Sequence, residues 1–235
     1  MTVGENEEIF MNGIQTPSDH KNPQINKSND RVALLTKRVV DIVSALVGCI
    51  CLIPLTVILW VANLLCGDFG PVFYTQERIG LHGKPFRLYK YRSMRVNADE
   101  ELKYYLSENA QSDAEYEKYN KLKDDPRITR VGKIIRKTSL DEFPQFVNIL
   151  KGEMSLVGPR PYLPNERQDM GDFYHSIISV KPGLTGPWQV GGRNDLTFEE
   201  RLTIEDAYAK NPSLLKDAGY FFKTFFKILK KEGAS

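Results

Sequence analysis

"IVSALVGCICLIPLTVILWVANLLC", Ile42 to Cys66, is a run of 25 residues without a charge. At 1.5 Å per residue a straight helix of that length reaches roughly 37 Å, enough to cross a hydrocarbon core of about 30 Å. Core helices of soluble proteins rarely run so far without a polar face, so the stretch reads as a membrane segment. Pro54 lies at its middle, where it removes a backbone donor and kinks or breaks a helix. Basic residues flank both ends: Lys21, Lys27, Arg31, Lys37 and Arg38 before it, Arg78, Lys84, Arg87, Lys90, Arg92 and Arg95 after it. Such clusters favour the cytoplasmic side, and one straight span cannot satisfy both. The expectation is a re-entrant helix broken at Pro54 that enters and leaves by the same face, with a single span as the alternative. Neighbouring protein or interfacial water would then serve the interrupted backbone.

Outward from this segment the chain divides in three. Residues 1–31 are polar, rich in Asn, Glu, Ser, Lys and Pro, and read as a disordered tail with no signal-peptide pattern. Residues 32–66 are the membrane-anchoring part, and 67–235 are long enough for one domain with a substantial core. The formal charge of +2 gives no reason to expect a nucleic-acid partner. Cys49, Cys51 and Cys66 all fall in the apolar segment, an odd count that argues against a disulfide framework. His20, His82 and His175 are scattered and show no metal-ligand spacing. Near the C-terminus, "GYFFKTFFKILKK" puts Phe222, Phe225, Phe226 and Leu229 on one helical face and Lys223, Lys227 and Lys231 on another. That pattern suits a helix lying in an anionic interface, with a surface helix packed on the core as the plainer reading.

Within the domain, Val72–Thr75 and Phe86–Tyr89 read as short strands joined by a turn at "GLHGK". Asn97 to Asp125 is highly charged and is expected to form an exposed helix and loop. "KTSLDEFPQ" (Lys137–Gln145) sets Asp141 and Glu142 side by side after Arg136 and Lys137. Pro144 belongs in a first helical turn, which predicts a helix from about Glu142 to Leu150, stopped by Gly152 and capped by Asp141. A helix start carries partial positive charge and unpaired N–H groups, a place for a carboxylate or a phosphate. "SLVGPRPYLP" (Ser155–Pro164) reads as a stiff loop holding Arg160 between prolines, and "KPGLTGPWQVGGRND" (Lys181–Asp195) as a second one with Trp188, Gln189 and Arg193. Either is a plain turn or a phosphate-binding loop, since guanidinium binds phosphate oxygens bidentately.

Taken together, "KRVVDI", "FRLYKYRSM", "DPRITRVGKIIRKTSLDEFPQFVNILKGEMSLVGPRP" and "KPGLTGPWQVGGRND", in that order, resemble the bacterial sugar transferase family. These are the monotopic polyprenyl-phosphate hexose-1-phosphate transferases, and the likeness is to their short form. The resemblance implies an α+β, mostly helical fold: a Pro-broken re-entrant membrane helix and a cytoplasmic catalytic domain with a small β element and interfacial amphipathic helices. It implies transfer of a sugar-1-phosphate from a UDP-sugar to undecaprenyl phosphate at the cytoplasmic face of the bacterial inner membrane, as the first membrane step of exopolysaccharide, capsule or O-antigen synthesis. Asp141 matches the family's nucleophile and metal-proximal residue, Glu142 its partner, and Mg²⁺ is the implied cofactor. Lys90, Arg136 and Arg160 match its phosphate-binding positions, and Pro54 its helix break. Gln189 and Arg193 lie either near the sugar or uridine or in a plain turn. Membrane lipids are implied as surroundings, and the sequence leaves room for a homo-oligomer without specifying one.

Physical chemistry agrees with that implication. A carboxylate attacks an anionic pyrophosphate only if cations offset the repulsion and the charge on the leaving phosphate. Galactose or glucose is the expected sugar, by likeness of the charged segment and of "WQVGGRND" to those transferases. Some relatives carry Ser before the membrane proline where this chain has Ile53, so any bend has to come from Pro54 alone. A non-catalytic membrane scaffold of a glycan-assembly complex is the alternative, and an acidic dyad beside cations speaks against it. A hydrolase using water as acceptor is the third reading.

Overall fold

The computed structural model describes residues 27–230 apart from 110, 114–115, 117–121, 123–124 and 192–195. Helix α1 (Lys27–Leu65) is 39 residues long and begins inside the stretch expected to be a disordered tail; residues 1–26 of that tail lie outside the described ones. The helix stays helical through Pro54, so the expected break at that residue is not an interruption. A proline leaves the carbonyl four residues back without its donor, which a helix accommodates by bending. A hydroxyl is also present where the sequence suggested none. Thr56 Oγ1 donates to the Leu52 carbonyl (2.7 Å) and meets Tyr91 Oη (2.7 Å), which itself donates to Leu52 O (3.3 Å). Back-bonding of this kind bends helices.

α1 does not stand away from the rest of the chain. Before Pro54, Arg38 caps the last carbonyls of the helix Gln145–Lys151, with Nη1 2.8 Å from Ile149 O and Nη2 3.0 Å from Leu150 O. The buried Asp41 carboxylate accepts from Ser155 Oγ (3.0 Å) and Leu156 N (2.8 Å). Ala45 is fully buried in the main core with Leu88, Ile149 and Met154. Gly48 lies against the Phe146 ring, where a Cβ would come within 2.3 Å of a ring carbon. After Pro54, Leu59 enters a separate core with Tyr91, Val131 and Ile135, flanked by Leu52, Leu55 and Phe143. The opposite side of α1 is an exposed apolar stripe that includes Val47, Ile50, Ile53 and Ile58.

Beyond α1, β1 (Phe73–Ile79) and β2 (Pro85–Tyr91) form an antiparallel hairpin that pairs Phe73 with Tyr91 and Ile79 with Pro85. Its turn uses His82 at φ 55°, as "GLHGK" led one to expect. Alternation along β2 buries Phe86 and Leu88 and sends Lys90 to the same side. α2 (Ala98–Glu108) follows, and the charged stretch is less exposed than expected: Leu102 and Leu122 are buried, and Arg127 binds the buried Asp125 carboxylate through Nε (2.9 Å) and Nη2 (2.7 Å). Thr129 caps α3 (Arg130–Lys137).

The expected helix from Glu142 forms differently. Ser139 turns left-handed (φ 55°), Leu140–Glu142 form a 3-10 turn, and α4 runs Gln145–Lys151 with Pro144 at its N-cap. Asp141 is therefore not an N-cap. Gly152 ends α4 at φ 84°, as expected. Ser155–Val157, read from sequence as loop, is the buried strand β3, paired in parallel with β4 (Gly183–Thr185). Three residues between glycine- and proline-rich ends give no periodic signal, which is why they pass for a loop. The short α5 (Tyr174–Ile177) lies between these strands, and α6 (Pro187–Gly191) follows β4. α7 (Phe198–Lys210), with a Thr197/Glu200 capping box, and α8 (Leu214–Lys230) close the fold. Phe222, Phe225 and Phe226 of α8 are exposed. The three cysteines are free.

Candidate active site

Three local devices bring the charged groups together. The left-handed Ser139 reverses the chain after α3, so Asp141 and Glu142 sit on a tight turn beside β2. The period of β2 sends Lys90 to that turn, where its Nζ is 3.1 Å from Glu142 Oε1. Prolines 159 and 161 stiffen the segment that carries Arg160 out of β3.

A cleft of about 360 Å³ collects them. Its walls include Lys90 and Glu142, Arg78 and Arg160, and Trp188 with Gln189. Asp141 is half-buried and is not part of that wall; it stands next to Glu142 in the turn. Burial pushes its carboxyl up to about 6, raised further by Glu142 and opposed by the positive charges of Lys90 and Arg136. Arg136 does not line the cleft and acts on Asp141 through its field. The site so formed sets Glu142 in a cleft with three cations, Lys90, Arg78 and Arg160, and Asp141 beside it in a poorly solvated place.

Arg160 is anchored from below. Its N–H donates to Glu205 Oε1 (2.7 Å), and Tyr162 Oη donates to Glu205 Oε2 (2.6 Å). Glu205, on α7, is fully buried, and burial pushes its carboxyl up to about 7. The Arg160 and Arg201 guanidiniums lie 5.6 and 4.5 Å from the Trp188 ring, within cation–π range. Arg78, buried beside Arg160, gives Nη1 to Pro161 O (2.9 Å); desolvation, then Arg160, lowers it to about 10.

Among the described residues, five buried side-chain atoms have no hydrogen-bond partner: Arg78 Nε, Arg160 Nε, Trp188 Nε1, Gln189 Oε1 and Arg201 Nε. Four of these residues line the cleft. An orphaned buried polar group costs about 1–3 kcal/mol, so the cluster fits a polar, anionic ligand. Among the described residues no three or more His, Cys, Asp or Glu side chains are grouped so as to hold a metal ion by themselves. Mg²⁺ asks for less than that, one or two carboxylates plus substrate phosphates, and Asp141 with Glu142 fits it. Arg193 lies outside the described residues.

The family model for bacterial sugar transferases matches residues 32–231. The chain belongs to the bacterial sugar transferase family. An undecaprenyl-phosphate galactose phosphotransferase of Salmonella typhimurium is 46% identical over 204 residues, covering 87% of this chain and 42% of that protein. The UDP-glucose:undecaprenyl-phosphate glucose-1-phosphate transferase of Escherichia coli is 34% identical over 201 residues, 82% of this chain and 40% of that one. The exopolysaccharide production protein ExoY of Sinorhizobium fredii is 38% identical over 200 residues, 85% of this chain and 88% of its own length. The chain thus spans about two fifths of the first two relatives and most of the third.

For a bacterial sugar transferase, the residues that sequence reading passed over are informative. Arg78 counted only as a flanking charge, and Gln145, Arg201 and Glu205 went unremarked. One signal was available: Leu202, Glu205, Tyr208 and Ala209 form the buried stripe of α7, so Glu205 is a carboxylate on an apolar face.

Proposed function

We propose that this chain moves a hexose-1-phosphate, from UDP-galactose or UDP-glucose, onto undecaprenyl phosphate, through a covalent intermediate on Asp141. The observation that carries the reading is the cleft itself. Lys90, Arg78 and Arg160 converge there beside an acidic pair, with orphaned donors facing no protein partner. The relatives' printed names supply the substrate class.

In the first step an Asp141 carboxylate oxygen attacks the phosphorus that bears the sugar. The bond from that phosphorus to the UMP oxygen breaks, and UMP leaves with the electron pair. The guanidiniums of Arg78 and Arg160 and the ammonium of Lys90 offset the charge on the leaving phosphate. Bound at Asp141 and Glu142, Mg²⁺ would supply further neutralisation of the phosphate oxygens. In the second step a phosphate oxygen of the lipid attacks the same phosphorus, the acyl-phosphate P–O bond breaks, and the Asp141 carboxylate is restored. Splitting the displacement lets the lipid phosphate arrive after UMP has gone, so two multiply charged substrates never crowd one site. Ionised Asp141 is needed for the first step, and its raised pKa keeps it a stronger nucleophile than an ordinary carboxylate.

The membrane reading follows the same route. α1 packs on the domain both before and after Pro54, which supports a re-entrant, one-sided placement over a perpendicular span. The exposed apolar stripe of α1 and Phe222, Phe225 and Phe226 of α8 would meet lipid, and the flanking Lys and Arg would keep the domain at the cytoplasmic face of a bacterial inner membrane.

The test is UMP release from a panel of UDP-sugars with Mg²⁺, with and without undecaprenyl phosphate, for wild type and Asp141→Asn. Release that needs the lipid and one sugar, and is lost in the variant, supports the proposal. Unimpaired release by Asp141→Asn removes the nucleophile, lipid-independent release points to a hydrolase, and no release with any sugar favours the scaffold.

A further inference from the structure

A second cavity, of about 870 Å³, opens at the first turns of α1 and shares no wall residue with the active-site cleft. Leu34 lies on its wall, and Lys37, Arg38, His82 and Lys181 bring positive or titratable groups to it. The acidic groups are accounted for. Asp41 accepts from Ser155 and Leu156, and Asp217 from Lys37 and Tyr208. Lys37 is thereby paired, and Arg38 caps α4.

Lys181 is different. Among the described residues no hydrogen bond or ion pair reaches it, although it is only half exposed. Burial and the positive charges of Arg38 and Lys37 hold its ammonium below the usual lysine range, with Asp41 opposing them. A Cβ at Gly152 would lie 3.5 Å from Arg38 Nη2 and 3.6 Å from Lys181 Nζ, so the two nitrogens are at most about 7 Å apart. A phosphate whose oxygens each accept at 2.7–2.9 Å bridges such a gap. Two cations this close, Lys181 with no partner among the described residues, suit an anion that touches both.

What kind of anion follows from the surroundings. Leu34 and Leu35 are exposed beside the cavity. A neighbouring apolar groove of about 710 Å³ shares Lys37 and Asp41 with it and runs on past Val40, Phe221 and Phe222. A ligand that fills both has a phosphate at one end and a hydrocarbon chain at the other. We propose that Lys181 and Arg38 bind the phosphate of an anionic membrane phospholipid whose acyl chain lies in the groove along α1 and α8. The site rests on the membrane reading above and is independent of the transfer chemistry. It would fix the orientation of the whole α1–domain unit at the interface.

The experiment uses the full chain in dodecyl maltoside micelles, titrated with dioleoylphosphatidylglycerol and read by native mass spectrometry for retained lipid. Wild type is expected to hold the anionic lipid in preference to dioleoylphosphatidylcholine, and its Tm to rise with the former only. Lys181→Gln should weaken that retention about fivefold, the worth of one cation at an anionic surface, and Lys181→Arg should keep it. Equal retention by Lys181→Gln and wild type overturns the proposal, as does equal retention of the two lipids. Displacement of the lipid by millimolar inorganic phosphate also overturns it, in favour of a free-phosphate site. UMP release measured on the same samples reports on the active site separately, so the two readings fail independently.

Discussion

Removing the Glu205 carboxylate tests whether Arg160 is held in place from below. Glu205→Ala leaves the Arg160 N–H and the Tyr162 hydroxyl without their acceptor in a region where Tyr162 is itself buried. At about 1–3 kcal/mol for each stranded group the loss is about 4 kcal/mol. For a domain of this size that lowers Tm by about 8–16 °C. Freed from its anchor, the Pro159–Pro161 segment should also lose its hold on the donor phosphates, raising KM for the UDP-sugar about tenfold. Glu205→Gln supplies a second reading that does not depend on surviving the cavity. The wild-type carboxyl is pushed up to about 7, above its ordinary value of 4.5, so the folded chain keeps a proton that the unfolded chain has released. That contribution is complete below about pH 4.5 and is lost as pH rises through 7. Glutamine does not titrate, so the variant should gain on wild type between pH 5 and pH 8, by up to about 3 kcal/mol. Differential scanning calorimetry across that range, with initial rates at varied donor, measures both effects. If Glu205→Ala keeps its Tm within 2 °C and its KM within a factor of about two, or if the glutamine difference is flat with pH, the anchoring argument is wrong.

Asp141 should give the first half-reaction an acid limb near pH 6 in metal-free samples, falling about tenfold per pH unit below it, and Mg²⁺ should move that limb lower; stopped-flow UMP release checks both. Gly48→Val drives a side chain into the Phe146 ring and should cost about 3 kcal/mol, whereas Gly219→Ala, with open space around it in α8, should stabilise by up to about 1 kcal/mol, both read as Tm shifts. In a chain whose three native cysteines are replaced by serine, single cysteines placed before Lys37 and after Gly67 should react only with cytoplasmic reagents. Labelling from opposite faces would establish a span.

The sequence announced the site better than the scaffold around it. The "SLDE" and "VGPRP" stretches named Asp141, Glu142 and Arg160 because chemistry constrains residue type, and the cleft does gather Lys90, Glu142, Arg160 and Gln189. It did not announce that Asp141 would sit back from the wall, since that depends on one left-handed residue, Ser139, which no periodicity marks. The hairpin was legible from its turn and alternation. Strands β3 and β4 were not, because three-residue strands carry no period and their glycines read as loop. Pro54 was read as a break on backbone chemistry alone; the Thr56 and Tyr91 hydroxyls that bond the Leu52 carbonyl come partly from a strand far along the chain, beyond local reasoning.

The way α1 is built into both hydrophobic cores bears on how the protein can be handled. Ala45 belongs to one core and Leu59 to the other, and the Asp41 carboxylate secures the strand that leads to Arg160. Cutting the chain after Cys66 to obtain a water-soluble fragment would strip a wall from each core, so no such fragment should fold. The helix is interior architecture, whatever its exposed apolar stripe meets. Because α1 packs into both cores that carry the cleft, the distance from a bilayer surface to Asp141 would, under the proposed placement, be a property of the fold, set at the moment the chain is packed.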